Sequence, residues 1–522
     1  MAVDTLTFAV ITLIYLAAVV FLGYLGYRQT KGSDDFLIAG RKINPVVLAL
    51  SYGATFISTS AIVGFGGISA QLGMGLVWLT VLCIGVGVLI AFIIFGKRTR
   101  SLGQKTGALT YPDLLGKCYN SVFIRKVSAL IIIVSMPIYT AAILIGGARF
   151  IETTLSVPYD TALLAFAAIV ALYVILGGLI AVMYTDALQG AIMFVGMTIL
   201  LILTYIYLGG VTAANSALDS FSPLVPEGLA AAGMTGWASM PEFLSPIWLT
   251  MITTMVLGVG IGVLAQPQLA VRFMTVKDNR SIHRAVMIGG PFVLMMTGVA
   301  FTVGPLTNVW FMKNSGMLAV DAAGGNVDSI IPLYINSAMP DLFIVIFMLA
   351  LLAAAMSTLS SLFHTMGTTI GYDLNPLVKE NKPSMKAIQI GTLAMIIVST
   401  IVAYALPENI IARATVIFMG LCAAAFIPAF AHALYSEKPS VYAAKISITA
   451  GAVSWFLWTA FVHVKESSVL GISDALFGVQ SVLPMPWGVV NPIVIALPVS
   501  AIALFAALVI EKNRTDRLCG TA

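Results

Sequence analysis

Apolar runs of about 20 residues or more recur through this chain, and nothing else in it constrains the fold as strongly. A run of that length spans the hydrocarbon core of a bilayer as a helix. Lipid offers backbone N–H and C=O groups no partner, so each run is expected to satisfy its own backbone as a helix. About thirteen such spans are read, with boundaries good to about four residues: roughly 6–27, 45–70, 75–96, 127–151, 160–184, 187–208, 245–271, 285–306, 341–370, 387–406, 409–434, 443–463 and 490–510. The predicted fold class is therefore an all-α polytopic membrane protein, one integral domain over residues 1–522.

Composition agrees. Hydrophobic residues make up 59% of the chain and charged residues 9%, where soluble domains carry about a quarter charged. The net charge of +5 would point to nucleic acid in a soluble chain; here the placement of charge matters more, and no nucleic-acid partner is expected. The first run, with no basic residue before Arg28, is long enough to span and is read as a retained helix rather than a signal peptide. The cysteines (Cys83, Cys118, Cys422, Cys519) show neither metal-type spacing nor a redox motif, and "CGTA" at Cys519 lacks the aliphatic pair of a prenylation box.

Loops alternate between basic and nearly uncharged. The basic ones include "RQTKGSDDFLIAGRK", "KRTRSLGQK", "VKDNRSIHR", "VKENKPSMK" and the tail "EKNRTDR", and the side they share holds about 23 of the 27 Lys and Arg residues. The positive-inside rule puts that side in the cytoplasm. An odd number of spans then places the N-terminus outside and the C-terminus inside a cell (plasma or inner) membrane. Arg149, Lys313, Arg413 and Lys465 are the exceptions. The longer outer loops, about 209–243, 307–340 and 464–489, read equally as short lids or plain connectors.

Two spans carry interruptions. In the second, "ALSYGATFISTSAIVGFGG" crowds Ser, Thr and Gly into the middle of the run. Taken alone, it fits close helix packing better than a site. In the seventh, "MVLGVGIGVLAQPQLAVRF" holds Gly258, Gly260 and Gly262 ahead of Gln266, Pro267 and Gln268. Pro267 lacks an N–H and clashes with the preceding turn, so the helix is expected to kink or break there. The two interrupted spans lie five helices apart. Five is odd, so the second set of five enters the membrane inverted. Paired interruptions of this kind point to an inverted-repeat transporter with its site near the midplane. The ninth span adds "LALLAAAMSTLSSLF", in which Ser357 and Thr358 are adjacent hydroxyls and Ala353, Ala354 and Ala355 permit a close neighbour. A hard monovalent cation such as Na⁺ takes oxygen ligands, and an unwound helix supplies bare carbonyls.

At these residues the chain resembles the sodium/solute symporter family, whose fold is the five-plus-five inverted repeat of the leucine transporter. "GGARFIETTLSVPYDTALLAFAAIVALYVILGGLIAVMYTDALQG" (146–190), "QPQLAVRFMTVKD" (266–278) and "AAAMSTLSS" carry the resemblance across most of the chain. It implies an extra N-terminal helix at 6–27, a first repeat over 45–208, an inverted second repeat over 245–434 and two extra C-terminal helices over 443–510. It implies a sodium site made of the carbonyls of Ala54, Ile57 and Ala354 with the hydroxyls of Ser357 and Thr358. Ser58, Thr59 and Ser60 would face the solute, with Tyr139, Gln266 and Gln268 as further solute contacts. Asp186, read at the inner end of the fifth span, would lie where sodium leaves. Proline transporters of the family carry an aspartate where this chain has Phe56, and aromatics where it has Val259 and Val263. With "ISTSAIVG" and "HRAVMIGG", these departures make the chain similar to the pantothenate branch.

The function expected is sodium-coupled secondary active import of a small organic solute, a pantothenate-like or other carboxylate or an amino acid, by alternating access. Na⁺ is the coupling ion, no cofactor is expected, and beyond the solute and the bilayer no protein partner is required. A sodium-responsive membrane sensor and a proton-coupled transporter remain as alternatives. An enzyme is not expected: there is no HExxH, no paired acidic motif inside the spans, and His283, His364, His432 and His463 are scattered.

Overall fold

The computed structural model describes residues 5–375, 384–407 and 409–520, and the described residues form helices and turns with no strand. Residues 378–383 of the basic loop "VKENKPSMK" lie outside them. Among the described residues ten helices are long and apolar enough to cross a membrane, and counting each of two bent pairs as one span brings the number to twelve. Thirteen were expected. The difference lies in the fifth span, where the described residues give a shorter apolar helix, Tyr159–Leu172.

The fifth and sixth spans also divide elsewhere than expected. The helix Tyr159–Tyr207 changes direction at Gly178, with φ 61° and ψ −171°. A side chain is strained at that φ, and a Cβ there would stand 2.5 Å from the Phe36 ring. The polar stretch "YTDALQG", read as the boundary, instead continues the helix that follows. Asp186 therefore belongs to the sixth span, not to the end of the fifth.

Both expected interruptions are present. The second span is helical over Pro45–Phe56 and again over Ser60–Leu72, bent by 52°. Asn44 caps its start by accepting from the Val46 amide at 2.9 Å, with Pro45 in the first turn, where its missing N–H costs nothing. The seventh span runs as helix from Pro246 to Ala265, passes through extended Gln266 (ψ 121°) and restarts at Pro267. The ring of Pro267 fits the first position of the new helix and not the interior of the old one.

Burial orders the spans. In its most apolar window the ninth span, Asp341–Leu374, is 83% buried, while the first and last spans are only 22% buried. The ninth is thus central, and the other two present most of their surface outward. The longer loops contain short helices, among them Val211–Asp219, Ile330–Ala338 and Val464–Leu470. The eighth span continues to Ser315, past the expected end at 306.

Candidate functional site

The second span stops at Phe56, and Ile57 is extended (φ −88°, ψ 98°), its amide still bonded to the Gly53 carbonyl at 2.8 Å. The carbonyls of a last helical turn have no amide four residues on. The ninth span meets them with hydroxyls. Ser357 Oγ lies 2.8 Å from the Ala54 carbonyl and 3.1 Å from that of Ala354. Thr358 Oγ1 donates to the Thr55 carbonyl at 3.1 Å. Adjacent helical side chains point about 100° apart, yet both hydroxyls find acceptors because the frayed turn offers successive carbonyls. Ala54, Thr55, Ala354, Ser357 and Thr358 are all buried.

The expected oxygen cluster is therefore largely assembled from Ala54, Ala354 and Ser357, with Thr358 beside it. The carbonyl paired with Thr358 belongs to Thr55, not to Ile57, which is buried one residue past the helix end. Every group bonded here is an uncharged oxygen.

A second polar layer lies one turn away. Arg272, just past the Pro267 restart, is fully buried and its guanidinium reaches Asp186 Oδ2 at 2.7 Å. It also donates to Ser51 Oγ at 3.0 Å, Thr55 Oγ1 at 2.6 Å, Ser361 Oγ at 2.5 Å and the Gln268 carbonyl at 2.7 Å. Asp186 accepts in addition from Ser51 Oγ at 2.9 Å and from Ser360 Oγ at 3.3 Å. Burying two charges costs several kcal/mol per ion, of the order set by desolvation, and only a geometry this saturated with hydrogen bonds offsets it. The pair joins the second, sixth, seventh and ninth spans. Thr55 belongs to both layers, its carbonyl in the first and its hydroxyl in the second.

The residues expected to contact solute are all buried. Ser58 Oγ accepts from the Ser60 amide at 3.1 Å and from Tyr139 Oη at 3.5 Å, and Thr59 Oγ1 lies 3.4 Å from the Ile143 carbonyl. The Tyr139 ring stacks on Phe418 at 5.4 Å between centroids. Gln268 donates from its amide nitrogen to the Gln266 amide oxygen. Three buried polar atoms of this set have no partner: Ser60 Oγ, Gln266 Nε2 and Gln268 Oε1. Phe56 and Val263 converge on Gly87, where a Cβ would stand 3.6 Å and 3.4 Å from them, so two of the three positions that depart from the proline pattern share one apolar wall.

Sequence reasoning missed Arg272, Thr55, Ser51 and Ser361. Arg272 carried a signal: it follows the Pro267 interruption by five residues, within one helical turn and a half of a broken, buried helix, yet it stands at the edge of an apolar run and reads there as an ordinary flanking cation.

Residues 36–451 match the Sodium:solute symporter family. Among similar proteins, a sodium/pantothenate symporter of Haemophilus influenzae is 28% identical over 487 residues, covering 89% of this chain and 94% of its own. An osmoregulated proline transporter of Bacillus subtilis is 27% identical over 466 residues, covering 88% and 90%. The sodium/proline symporter of Escherichia coli is 27% identical over 455 residues, covering 86% and 87%. A solved Na⁺-coupled sialic acid symporter superposes with a TM-score of 0.72 at 16% identity, covering 96% of this chain and 98% of that one. At that identity the match speaks for the fold, which is the all-α leucine-transporter-like arrangement.

Proposed function

The chain belongs to the sodium:solute symporter family, and from that premise we propose that it carries a small solute in which a carboxylate accompanies an N–H or O–H donor. It is a membrane transporter that couples solute movement to sodium, and not an enzyme. The observation that carries the solute reading is the set of buried, unpartnered polar atoms on the two interrupted spans: Ser60 Oγ, Gln266 Nε2 and Gln268 Oε1. Buried polar atoms are nearly always paired. A donor left open at Gln266 suits a carboxylate oxygen, and the acceptor left open at Gln268 suits an N–H or O–H on the same solute. The positive end of the half-helix that begins near Ser58, Thr59 and Ser60 favours an anionic group as well. Similar proteins named for pantothenate and for proline fall within this class. Phe56 in place of a carboxylate favours the pantothenate-like member, because an aspartate would be needed to hold a solute ammonium.

Sodium is assigned to the oxygens of Ala54, Ala354, Ser357 and Thr358, with the carbonyls of Thr55 and Ile57 completing the set. An ion drives a conformational change only by binding one state better than the other. Ligands drawn from the second and ninth spans supply that difference, since the ion is held fully only while the two spans meet. Asp186 is assigned to the release route, which opens when Arg272 separates from it. The repeats are taken as 45–208 and 245–434, with the basic loops and the C-terminus in the cytoplasm and the N-terminus outside.

One positive charge crossing about 100 mV contributes about 2.3 kcal/mol, and a tenfold sodium gradient about 1.4 kcal/mol. A monoanion carried with one sodium moves no net charge, so only the second contribution would drive it. Uptake into proteoliposomes tests the reading with labelled pantothenate, proline, short monocarboxylates and sugars, under a sodium gradient or a proton gradient alone. Sodium-driven uptake of a carboxylate with exclusion of sugars is expected. Uptake of a neutral sugar, or transport driven by protons without sodium, would overturn it.

A further inference from the structure

We propose that the cytoplasmic end of the first span carries a binding site for the headgroup of an anionic phospholipid. A cavity of about 630 Å³ lies between the end of the first span, the segment that follows it and the start of the sixth span. Arg28, Lys31 and Lys42 line it, and among the described residues none of the three makes an ion pair. Its one acidic wall residue, Asp35, accepts from the Lys31 amide at 3.0 Å through Oδ2. Three cations against one carboxylate leave the wall with a net positive charge.

The placement of Lys42 is built, not incidental. Ala39, Gly40 and Arg41 take φ of 51°, 57° and 58°, a conformation that persists only where surrounding contacts impose it. Arg41 imposes it by donating to the carbonyls of Gly103 at 3.1 Å and Ala108 at 2.8 Å.

The apolar surroundings select a lipid over a soluble phosphate. Ile14, Phe21, Tyr24 and Arg28 fall on one helical face by their spacing. The first three are exposed at 65%, 59% and 56%, an apolar strip that leads along the first span to the cavity. Leu25 and Ile180 continue it into the cavity wall. Acyl chains lie along that strip while the phosphate meets the three cations at its end, and tyrosines at this depth suit the boundary between hydrocarbon and headgroups. Basic pockets on the cytoplasmic side of membrane helices take anionic headgroups by the same electrostatics.

Native mass spectrometry of the full chain in detergent tests this with added phosphatidylglycerol, phosphatidylcholine and free glycerol phosphate. Phosphatidylglycerol is expected to be retained at least about tenfold better than phosphatidylcholine, each nearby cation contributing about fivefold. The triple variant Arg28→Gln, Lys31→Gln, Lys42→Gln should bring the two lipids level. A control triple variant at other exposed cations, Lys105→Gln, Lys277→Gln, Arg284→Gln, should not. If the first triple variant fails to fold, Lys31→Gln and Lys42→Gln singly should each weaken retention about fivefold. Equal retention of both lipids, or equal loss in the control, overturns the proposal. Displacement of phosphatidylglycerol by glycerol phosphate at similar concentration would do so too, because the pocket would then recognise a soluble phosphate.

Discussion

Removing the Ser357 hydroxyl should raise the sodium concentration for half-maximal transport far more than it changes the solute requirement. In the structure that oxygen lies 2.8 Å from the Ala54 carbonyl and 3.1 Å from the Ala354 carbonyl, on the proposed ion position. A hydrogen-bonding contact to a charged group contributes about 1.5–3 kcal/mol, which is roughly a 10- to 150-fold change in an equilibrium constant. Ser357→Ala is therefore expected to raise half-saturating sodium by about tenfold or more. Thr358→Ala should do the same, and Thr358→Ser should stay near the parent because the hydroxyl is kept. The two alanine changes touch neighbouring carbonyls of one frayed turn, so their effects should not add, with a coupling of about 0.5–3 kcal/mol. The assay is initial uptake into proteoliposomes across a sodium titration at saturating solute. Thermal unfolding of each variant runs alongside, since Ser357→Ala also leaves the Ala54 carbonyl short of a partner. Folded variants with unaltered half-saturating sodium would refute the site.

Three further outcomes follow from the geometry. Arg272→Gln or Asp186→Asn alone should destabilise the protein by about 3–5 kcal/mol, because each strands a buried charge, while the double variant should recover much of that loss; thermal unfolding in detergent reads it, and additive losses would contradict a direct pair. Gln266→Leu should raise the solute KM about tenfold at saturating sodium and leave half-saturating sodium near the parent value; uptake kinetics separate the two, and an equal effect on both would remove Gln266 from the solute site. Gly178→Ala should lower folded yield sharply, since its Cβ would fall 2.5 Å from the Phe36 ring at a φ of 61°; a well-folded Gly178→Ala protein would show that the turn is not rigid.

Much of this is legible in the sequence. The interruption at Ile57 shows in the sequence because Ser, Thr and Gly cluster where lipid rewards none of them. The one at Gln266 shows because proline cannot donate within a helix. Ser357 reaches the Ala54 carbonyl as the adjacent hydroxyls and flanking alanines suggest. The division between fifth and sixth spans was misplaced because a polar cluster and a glycine compete as break signals. "YTDALQG" looks like a boundary, but its aspartate stays in the membrane by pairing with Arg272, and Gly178 makes the turn instead. Arg272 itself is not legible as a site residue, since hydropathy registers the end of an apolar run and not what the next residue meets in space. Pairing between the seventh and sixth spans depends on packing across 86 residues of sequence, which no local pattern encodes.

The two polar layers differ in charge, and that difference bears on direction. On the proposed route sodium passes from neutral oxygens toward Asp186, yet in this structure Arg272 already neutralises that carboxylate at 2.7 Å. A second cation arriving beside the guanidinium would be repelled strongly in so dry a place. Asp186 can therefore receive sodium only after Arg272 has withdrawn, and withdrawal must also break the guanidinium's bonds to Ser51, Thr55 and Ser361. Thr55 ties that event to the ion site, because the turn whose hydroxyl holds Arg272 is the turn whose carbonyl faces Thr358. On that reading, loosening the second polar layer disturbs the proposed sodium ligands in the same movement. On the proposed route the ion would be weakened at its first position as its next one is uncovered, which is the ordering a coupled importer requires.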